Sequence, residues 1–240
     1  SVNRVRQHIF VATEYIDGQT LSQWMIDHPN PGIDEVRNII DQIAKGLRAL
    51  HRLEMIHQDL KPDNIMIDKN GTVKIIDFGA TRVAGIMEMP TPIEQHNLLG
   101  SAQYAAPEYF LGESGTAQSD LFSLGVITYQ MLCGHLPYGV DVPKCTTRKA
   151  QKRLVYRSLL VTRPSLPVWV DGAIHKCLMP HPDERYQEAS EFIYDLYNPN
   201  ASFMDRRRQP LLERDPLVFW KSLSLLLFLV VLFLLILVAK

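Results

Sequence analysis

The first apolar run of the chain and the polar residues after it predict a strand followed by a short helix. Residues 8–15 are apolar and β-branched enough to form a buried strand, and Asp17-Gly18 ends the run. Thr20 begins the sequence Thr-Leu-Ser-Gln, whose spacing is that of a capping box at a helix N-terminus. We therefore expect a short helix from this point through about Asp27.

Most of the remaining periodicity is helical. From Asp34 to Leu53 apolar residues recur every three or four positions, which predicts a long amphipathic helix. Residues 119–132 are strongly apolar and precede Gly134, a pattern typical of a buried helix with a glycine stop. Further helical patterns cover the stretches 147–159, 168–178 and 184–197. These helices predict a mainly α body.

Two short β-rich runs interrupt this helical pattern, at residues 64–68 and 72–76. Asn70-Gly71 lies between them, and Asn-Gly between two such runs is a strong signal for a β-hairpin. With a two-residue turn, each step back along one strand matches a step forward along the other, so Asn64 lies opposite Asp77. The hairpin is thus predicted to bring these two side chains together at its open end.

An amide oxygen and a carboxylate side by side offer the hard oxygen ligands that Mg²⁺ prefers. Asn64 and Asp77 supply such a pair, and Asp59 adds a second carboxylate on the preceding loop. Magnesium usually completes its shell with water and phosphate oxygens. The sequence therefore predicts a site where magnesium and a phosphate-bearing ligand meet.

The C-terminus carries the longest apolar run, residues 222–239, which contains no charged residue. Eighteen helical residues rise about 27 Å, close to the thickness of the bilayer hydrocarbon. A buried core helix is the alternative, but it would need protein on every face. The pattern predicts a transmembrane helix, flanks included, over 217–240. The cations upstream of it, at 206–221, favour a single-pass protein whose globular part is cytoplasmic.

Composition and charge narrow the classes of function. Apolar residues make up 46% of the 240 residues and charged residues 21%, as in a globular protein with a substantial core. The net charge of −1 argues against nucleic-acid binding through a general basic surface. The three cysteines have no metal-like spacing and indicate reduced thiols: Cys133, Cys145 and Cys177.

Several motifs together resemble the protein kinase family. Residues 57–64, His-Gln-Asp-Leu-Lys-Pro-Asp-Asn, resemble the kinase catalytic loop, and Asp77-Phe-Gly resembles the metal-binding motif that follows it. Ala106-Pro-Glu, residues 120–125 and Arg185 continue in the family's order, and residues 13–16 resemble the hinge that reads adenine. The resemblance covers about residues 8–197.

The resemblance implies a fold class and a division of the chain. The fold is expected to be protein-kinase-like, a mainly α C-terminal lobe with a short β-hairpin and a remnant of the N-lobe sheet, plus one C-terminal transmembrane helix. Four segments follow, in chain order: a remnant of N-lobe strands and hinge, the C-lobe, a juxtamembrane linker and the transmembrane helix with its flanks, at 1–16, 17–198, 199–216 and 217–240.

The resemblance also implies roles in phosphoryl transfer, where positioning and charge neutralisation do most of the work. Asp59 is expected to orient the substrate hydroxyl, and Lys61 to place its ammonium near the transferring phosphoryl group. Asn64 and Asp77 are expected to hold Mg²⁺ and, through it, the phosphates of ATP. The last two are thus both metal and cofactor-binding residues.

Further ATP contacts and two structural pairs follow from the same resemblance. The expected adenine site uses the hinge residues Glu14 and Ile16, with Met66 as its floor and Thr13 at its back. Glu108 and Arg185 are expected to form a buried ion pair, and His57 to pack near Phe78 rather than act as a base.

The expected activity is that of a protein serine/threonine kinase, with ATP and Mg²⁺ as cofactors, protein Ser/Thr hydroxyls as substrate and no nucleic-acid partner. The alternative is a pseudokinase-type, membrane-anchored scaffold or docking module. The chain begins at Ser1 and contains no Gly-rich loop and no Val-Ala-Ile-Lys strand. It is therefore expected to be a fragment lacking most of the N-lobe, and inactive as given.

A finer resemblance is to bacterial membrane-anchored kinases. It rests on three phrases, Tyr-Ile-Asp-Gly-Gln-Thr-Leu from Tyr15, Gln-Tyr-Ala-Ala-Pro-Glu-Tyr-Phe from Gln103 and Leu-Glu-Arg-Asp-Pro-Leu from Leu212. Some members of that group carry a phosphatase domain ahead of the kinase, so an upstream phosphatase domain is a further hypothesis.

Overall fold

The structure, a computed structural model, describes residues 13–83, 102–204 and 219–228. Strands β1 to β5 are, in chain order, Gly18–Thr20, Met55–Ile56, Ile65–Asp68, Val73–Ile75 and Arg82–Val83. Helices α1 to α8 are Leu21–Asp27, Ile33–Arg52, Ala117–Cys133, Arg148–Gln151, Leu159–Thr162, Val168–Cys177, Ala189–Tyr197 and Ala201–Met204. Short 3₁₀ turns occupy Pro62–Asn64, Pro107–Leu111, Val142–Lys144 and Pro182–Glu184.

The strands form two small antiparallel sheets. One has the order β1-β3-β4, and the other pairs β2 with β5. The predicted hairpin is confirmed as β3-β4, in which Ile65 faces Ile75 and Ile67 faces Val73. The prediction of one hairpin was incomplete, because β1 adds a third strand to it and the second sheet was not foreseen.

The hairpin turn holds three residues rather than two, 69–71. Asp68 pairs with Thr72 and its Oδ1 accepts hydrogen bonds from the backbone N–H groups of Asn70 and Thr72, each at 2.8 Å. Gly71 has φ of +81°, in the left-handed region that glycine adopts without a steric penalty. The side chain of Asp68 thus stabilises a three-residue turn, which begins one residue earlier in the chain than the predicted two-residue turn.

This turn shifts the register of the hairpin by one residue. The N–H of Ile76 donates to the carbonyl of Asn64 at 2.9 Å, so Ile76 rather than Asp77 lies opposite Asn64. The predicted pairing of Asn64 with Asp77 is wrong by this one position. Asp77 is the next residue along the chain.

The predicted strand over 8–15 is not observed where the structure describes it. Residues 8–12 lie outside the described residues, and 13–17 form no regular strand. The strand instead begins at Gly18, the residue expected to end it. A Cβ on Gly18 would lie 2.0 Å from the carbonyl oxygen of Ile67, so only glycine fits this close strand pairing.

The helices form most of the core. The long helix predicted from Asp34 is confirmed as α2, which packs against α3, α7 and β4. Helix α3 is buried on nearly all sides, and α6 packs against both α3 and α7. Among the largest fully buried side chains are Leu47, Leu121, Phe122, Leu124, Ile127, Tyr186 and Phe192.

The predicted helix over 147–159 is wrong, because only the four-residue α4 lies within that range and α5 begins at its last residue. Each has its own N-cap: the hydroxyl of Thr147 accepts from Ala150 N–H at 3.2 Å, and that of Ser158 from Leu160 N–H at 3.3 Å. A side-chain cap in the extended region starts a new helix. The second cap therefore separates α5 from α4.

The prediction of a transmembrane helix over 217–240 is wrong. No helix among the described residues is both long enough and apolar enough to cross a bilayer. Within that segment the structure describes residues 219–228 as helical. Residues 229–240 lie outside the described residues, as do 205–218, which include most of the predicted linker.

Two further predictions depended on that helix and are corrected with it. The predicted fold class included a C-terminal membrane span, and the described chain shows a domain of two small sheets and helices without one. The predicted localisation as a single-pass membrane protein is wrong for the same reason.

Candidate active site

The loop after β2 brings three predicted site residues into one cluster. The ammonium of Lys61 donates to Oδ2 of Asp59 at 2.7 Å. The amide of Asn64 donates to the backbone carbonyl of Asp59 at 2.8 Å and to its Oδ2 at 3.1 Å. Asn64 is buried and the Asp59 side chain is one-third exposed. The cluster thus places the Asp59 carboxylate at the surface, fixed by two hydrogen bonds and next to the ammonium of Lys61.

One buried carboxylate fixes the backbone of this loop. Asp120, in the first turns of α3, is 1% exposed and accepts from the N–H groups of His57 at 2.9 Å and Gln58 at 3.0 Å. Nε2 of His51, at the end of α2, donates to the same carboxylate at 2.9 Å. Gln58 has φ of +69°, a conformation that costs energy for a non-glycine residue. The Asp120 carboxylate helps to hold that bend.

His57 is a packing residue, as the sequence predicted. Its ring is fully buried and lies 5.7 Å from the ring of Phe78, tilted by 57°. Nε2 donates to the carbonyl of Ile76 at 3.4 Å, so this nitrogen carries the proton. Nδ1 has no hydrogen-bond partner in the described part of the chain. The imidazole thus connects the loop to the strand that precedes Asp77.

Asp77 follows β4 in a left-handed conformation, with φ of +61°. Its Oδ1 accepts from the N–H of Gly79 at 3.1 Å, and its side chain is exposed. Because Ile76 pairs with Asn64, Asp77 stands one residue beyond Asn64's partner. The structure therefore places Asp77 at the same end of the hairpin as the loop cluster, without a direct hydrogen bond to it.

The donor set of this region fits a magnesium ion. Both donor contacts of the Asn64 amide go to Asp59, which leaves Oδ1 of Asn64 as a carbonyl-type oxygen without a partner among the described residues. The Asp77 carboxylate accepts one backbone hydrogen bond and retains further acceptor capacity. Hard oxygens of this kind are magnesium ligands. Within 13–83, 102–204 and 219–228 no group of three His, Cys, Asp or Glu side chains forms a metal site.

The predicted adenine residues are brought together only in part. Met66 of β3 and Lys74 of β4 are cross-strand partners, and the ammonium of Lys74 forms an ion pair with Glu14. Glu14 is thereby held next to the strand pair that carries Met66. Thr13 is exposed and Ile16 is half-buried in the stretch before β1, with no hydrogen bond or ion pair to Met66.

A second, fully buried pair supports the segment that begins at residue 102, where the described residues resume. The guanidinium of Arg185 donates to both oxygens of Glu108, at 2.8 and 2.7 Å, and both side chains are at most 2% exposed. Arg185 also donates to three backbone carbonyls, and the hydroxyl of Ser119 donates to Glu108 at 2.6 Å. The predicted buried ion pair is confirmed.

Burial by itself raises the pKa of the Glu108 carboxyl, because it disfavours the charged form. The hydrogen bonds and positive charge of Arg185, with the hydroxyl of Ser119, outweigh burial and lower the pKa below its usual value. The ionised form of Glu108 is thus the one that the fold stabilises.

Three residues of this region were missed by the sequence reasoning: Asp120 as the anchor of the loop, His51 as its partner and Lys74 as the partner of Glu14. Asp120 carried a usable signal, since an acidic residue near the start of an otherwise apolar helix must find buried hydrogen-bond donors. His51 and Lys74 carried none, because their partners lie 69 and 60 residues away.

These features define a sheet-and-helix domain in which one loop groups an acid, a lysine and an amide beside a hairpin end. The family model of the protein kinase domain matches residues 1–202. This chain therefore belongs to the protein kinase family.

Individual relatives agree with this assignment. The chain is 28% identical over 213 residues to the probable serine/threonine-protein kinase PknB of Lactococcus lactis, covering 89% of this chain and 32% of the relative. It is 30% identical over 189 residues to the serine/threonine-protein kinase PrkC of Bacillus subtilis, covering 78% and 28%. It is 36% identical over 193 residues to the serine/threonine-protein kinase PknB of Mycolicibacterium smegmatis, covering 78% and 30%. The chain thus spans about a third of the length of these curated relatives.

Proposed function

We propose that the protein containing this chain is a serine/threonine kinase that transfers the γ-phosphoryl group of ATP to Ser or Thr hydroxyls of a protein. The observation that carries the proposal is the cluster of Asp59, Lys61 and Asn64, held on a loop that α3 anchors. The names of the relatives support the same activity.

In this proposal Asp59 accepts a hydrogen bond from the substrate hydroxyl and aligns its oxygen with the γ-phosphorus. Only one of its oxygens, Oδ2, carries the hydrogen bonds from Lys61 and Asn64, so Oδ1 is available to the hydroxyl. Lys61 lies within reach of the same point and neutralises charge on the transferring group. Such positioning and charge neutralisation are most of what a protein contributes to phosphoryl transfer.

Asn64 and Asp77 would hold the magnesium ion through their free oxygens, and the ion would neutralise phosphate charge when bound. The hydrogen bonds of Asn64 to Asp59 couple the metal side of the site to the hydroxyl side. Glu14 and Ile16 would contact adenine through backbone groups, with Met66 beneath it, and Lys74 would keep Glu14 close to that strand pair.

The test is Asp59→Asn in the protein expressed from its complete reading frame. Transfer of labelled phosphate from ATP to a protein substrate is expected to fall about 10²- to 10⁴-fold, the usual contribution of a positioned acid or base. The affinity for Mg-ATP is expected to stay within about twofold, because Asp59 is assigned to the hydroxyl and not to the nucleotide.

Asp63→Asn is the matched control, because it removes an exposed carboxylate from the same loop, in the 3₁₀ turn Pro62–Asn64. Transfer by this variant should remain close to that of the unaltered protein. Undiminished transfer by Asp59→Asn would remove Asp59 from the mechanism. Absence of transfer in the unaltered protein, with Mg-ATP binding intact, would instead support the docking-module alternative. An upstream phosphatase domain stays a hypothesis that the complete reading frame tests.

A further inference from the structure

The positive charge of this chain is concentrated in one stretch. Residues 142–170 contain seven Lys or Arg and no Asp or Glu, although the whole chain has a net charge of −1. Such a segment departs from a mixed-sign surface and produces a local positive potential. What these cations contact decides whether the charge is structural or available to a partner.

Three of the seven have a structural contact. Lys144 pairs with the nearby Asp141, and Arg148 binds both carboxylate oxygens of Glu113. Arg163 donates to two backbone carbonyls. These cations are accounted for by the fold.

The other four are exposed and lie close together in sequence: Lys149, Lys152, Arg153 and Arg157. None of them forms an ion pair or a side-chain hydrogen bond with a described residue. Their charges are therefore directed to the surface without an internal partner in the part of the chain that the structure describes.

Helical geometry places three of these cations on one face. Beyond α4 the backbone keeps its helical course, since Lys152 N–H donates to the carbonyl of Arg148 and Arg153 N–H to that of Ala150. Residues three and four apart are neighbours on a helix surface, so Lys149, Lys152 and Arg153 form one basic face. Like charges at this spacing destabilise a helix, so these cations do not contribute to the stability of α4.

The opposite side of α4 is attached to the segment that carries the buried Glu108–Arg185 pair. Gln151 is 2% exposed, and its amide donates to the carbonyl of Pro107 at 2.7 Å and to that of Cys145 at 3.2 Å. Pro107 precedes Glu108 of the buried ion pair. The basic face thus stands on a helix whose inner side is fixed to the segment that carries Glu108.

A groove of about 710 Å³ lies beside the basic face. Lys152 lines it together with Leu154, Tyr156 and Met179, so it offers apolar surface next to a cation. Asp183 and Glu184 also line the groove and give it some negative charge.

We propose that the basic face and this groove form a docking surface for an acidic segment of a partner protein. Carboxylates of the segment pair with Lys149, Lys152 and Arg153, and an apolar side chain enters the groove beside Leu154. The apolar surface of the groove favours a peptide with an apolar side chain over a nucleic acid. Phosphates alone would not use that apolar surface.

Because α4 is fixed to Pro107, a segment docked here would hold its protein against the segment that carries Glu108. That the docked protein is a kinase substrate rests on the proposed function, but the binding itself does not. A binding experiment therefore separates the two proposals.

The experiment measures fluorescence anisotropy of a labelled peptide made of glutamates with two central leucines, mixed with the full 240-residue chain. The test variant is Lys152→Glu with Arg153→Glu. Its matched control is Arg48→Glu with Arg52→Glu on α2, which changes the net charge by the same amount. Reversal on the basic face is expected to weaken binding about tenfold or more, and the control less than about twofold.

A second variant guards against misfolding of the first. Lys152→Gln with Arg153→Gln removes charge without introducing repulsion, and it should weaken binding by an intermediate factor while the circular dichroism spectrum stays unchanged. The affinity of the unaltered chain should also fall as salt screens the charges. Equal affinities for the test and control variants would overturn the proposal.

Two further probes decide the class of partner. A single-stranded RNA and vesicles containing phosphatidylserine are each tested at the same salt concentration. If either binds more tightly than the acidic peptide and loses affinity in Lys152→Glu with Arg153→Glu, the surface serves that ligand and the proposal is wrong. A peptide that binds while Asp59→Asn and the unaltered protein both fail to transfer phosphate would leave docking intact and reject the kinase function.

Discussion

Two buried carboxylates lie at the start of α3: Asp120 belongs to the helix, and Glu108 accepts a hydrogen bond from its Ser119. They stabilise their surroundings in different ways. Asp120 accepts hydrogen bonds from the uncharged backbone of the 57–64 loop, and from His51. Glu108 is paired with a charged guanidinium that is itself entirely buried. Loss of Asp120 would leave N–H groups unpaired, whereas loss of Glu108 would leave a buried cation. The first carboxylate should therefore matter most for the site, and the second for stability.

The largest expected effect on stability is that of Glu108→Gln. It leaves the Arg185 charge buried without its counter-ion, and breaking a buried pair in this way costs about 3–5 kcal/mol of unfolding free energy. Urea denaturation followed by circular dichroism measures it. Combining the change with Arg185→Met should restore part of the loss, because no buried charge is then left. A cost below about 1 kcal/mol would contradict the comparison.

Asp120→Asn comes next, with an expected loss of about 1–3 kcal/mol for buried N–H groups that lose their acceptor. Phosphate transfer should fall more than the stability change alone explains, because the loop that carries Asp59 loses its anchor. Thr128→Val serves as the control, since it removes a buried hydroxyl bond within α3 far from the loop. If both variants keep full transfer while folded, Asp120 does not position the site.

A smaller effect is the loss of unfolding free energy at low pH. The folded-state pKa of Glu108 is lowered, so its contribution to stability is complete above the pKa of the unfolded chain, about 4.3. It is lost as the pH falls from that value through the lower folded-state pKa. Unfolding free energies measured by urea from pH 6 to pH 3 should decline more steeply for the unaltered chain than for Glu108→Gln. Parallel curves would show that Glu108 is not the titrating group.

The smallest expected effect is that of Lys74→Ala. Its ion pair with Glu14 is partly exposed, so its loss should change stability by less than about 1 kcal/mol. If the pair positions the adenine residues, the affinity for ATP should still fall measurably, as isothermal titration would show. Lys69→Ala, which removes the neighbouring pair with Asp17, should leave ATP affinity unchanged. Equal effects of the two variants would argue against a role for Lys74.

The sequence predicted what depends on local pattern. Thr20 caps α1 as expected, with its hydroxyl accepting from Gln23 N–H at 3.2 Å, and the amphipathic pattern from Asp34 forms α2. The kinase resemblance also predicted the Glu108–Arg185 pair, although its members are 77 residues apart. The residue pattern was sufficient to predict the N-cap and the helix, because both depend on neighbouring residues. The order of the motifs was sufficient to predict the ion pair, because the resemblance to the family names both of its members.

The features that the sequence did not predict depend on tertiary contacts or on the side chain of a single residue. The side-chain bonds of Asp68 lengthened the hairpin turn and moved Asn64 opposite Ile76, and no periodicity distinguishes a two-residue from a three-residue turn. The contact of His51 with Asp120 joins two helices whose packing is not encoded in either segment alone. The apolar C-terminal pattern predicted a membrane span that no described helix provides.

The anchoring of the loop from α3 limits how this domain can be engineered. A graft that transfers only residues 57–64 into another scaffold would lose the Asp120 carboxylate that meets its backbone, and with it the support for the left-handed residue Gln58. A chimera would have to exchange the loop and the first turns of α3 together. The smallest transplantable unit is therefore discontinuous in sequence, because His57 and the Asp120 carboxylate that it contacts are 63 residues apart.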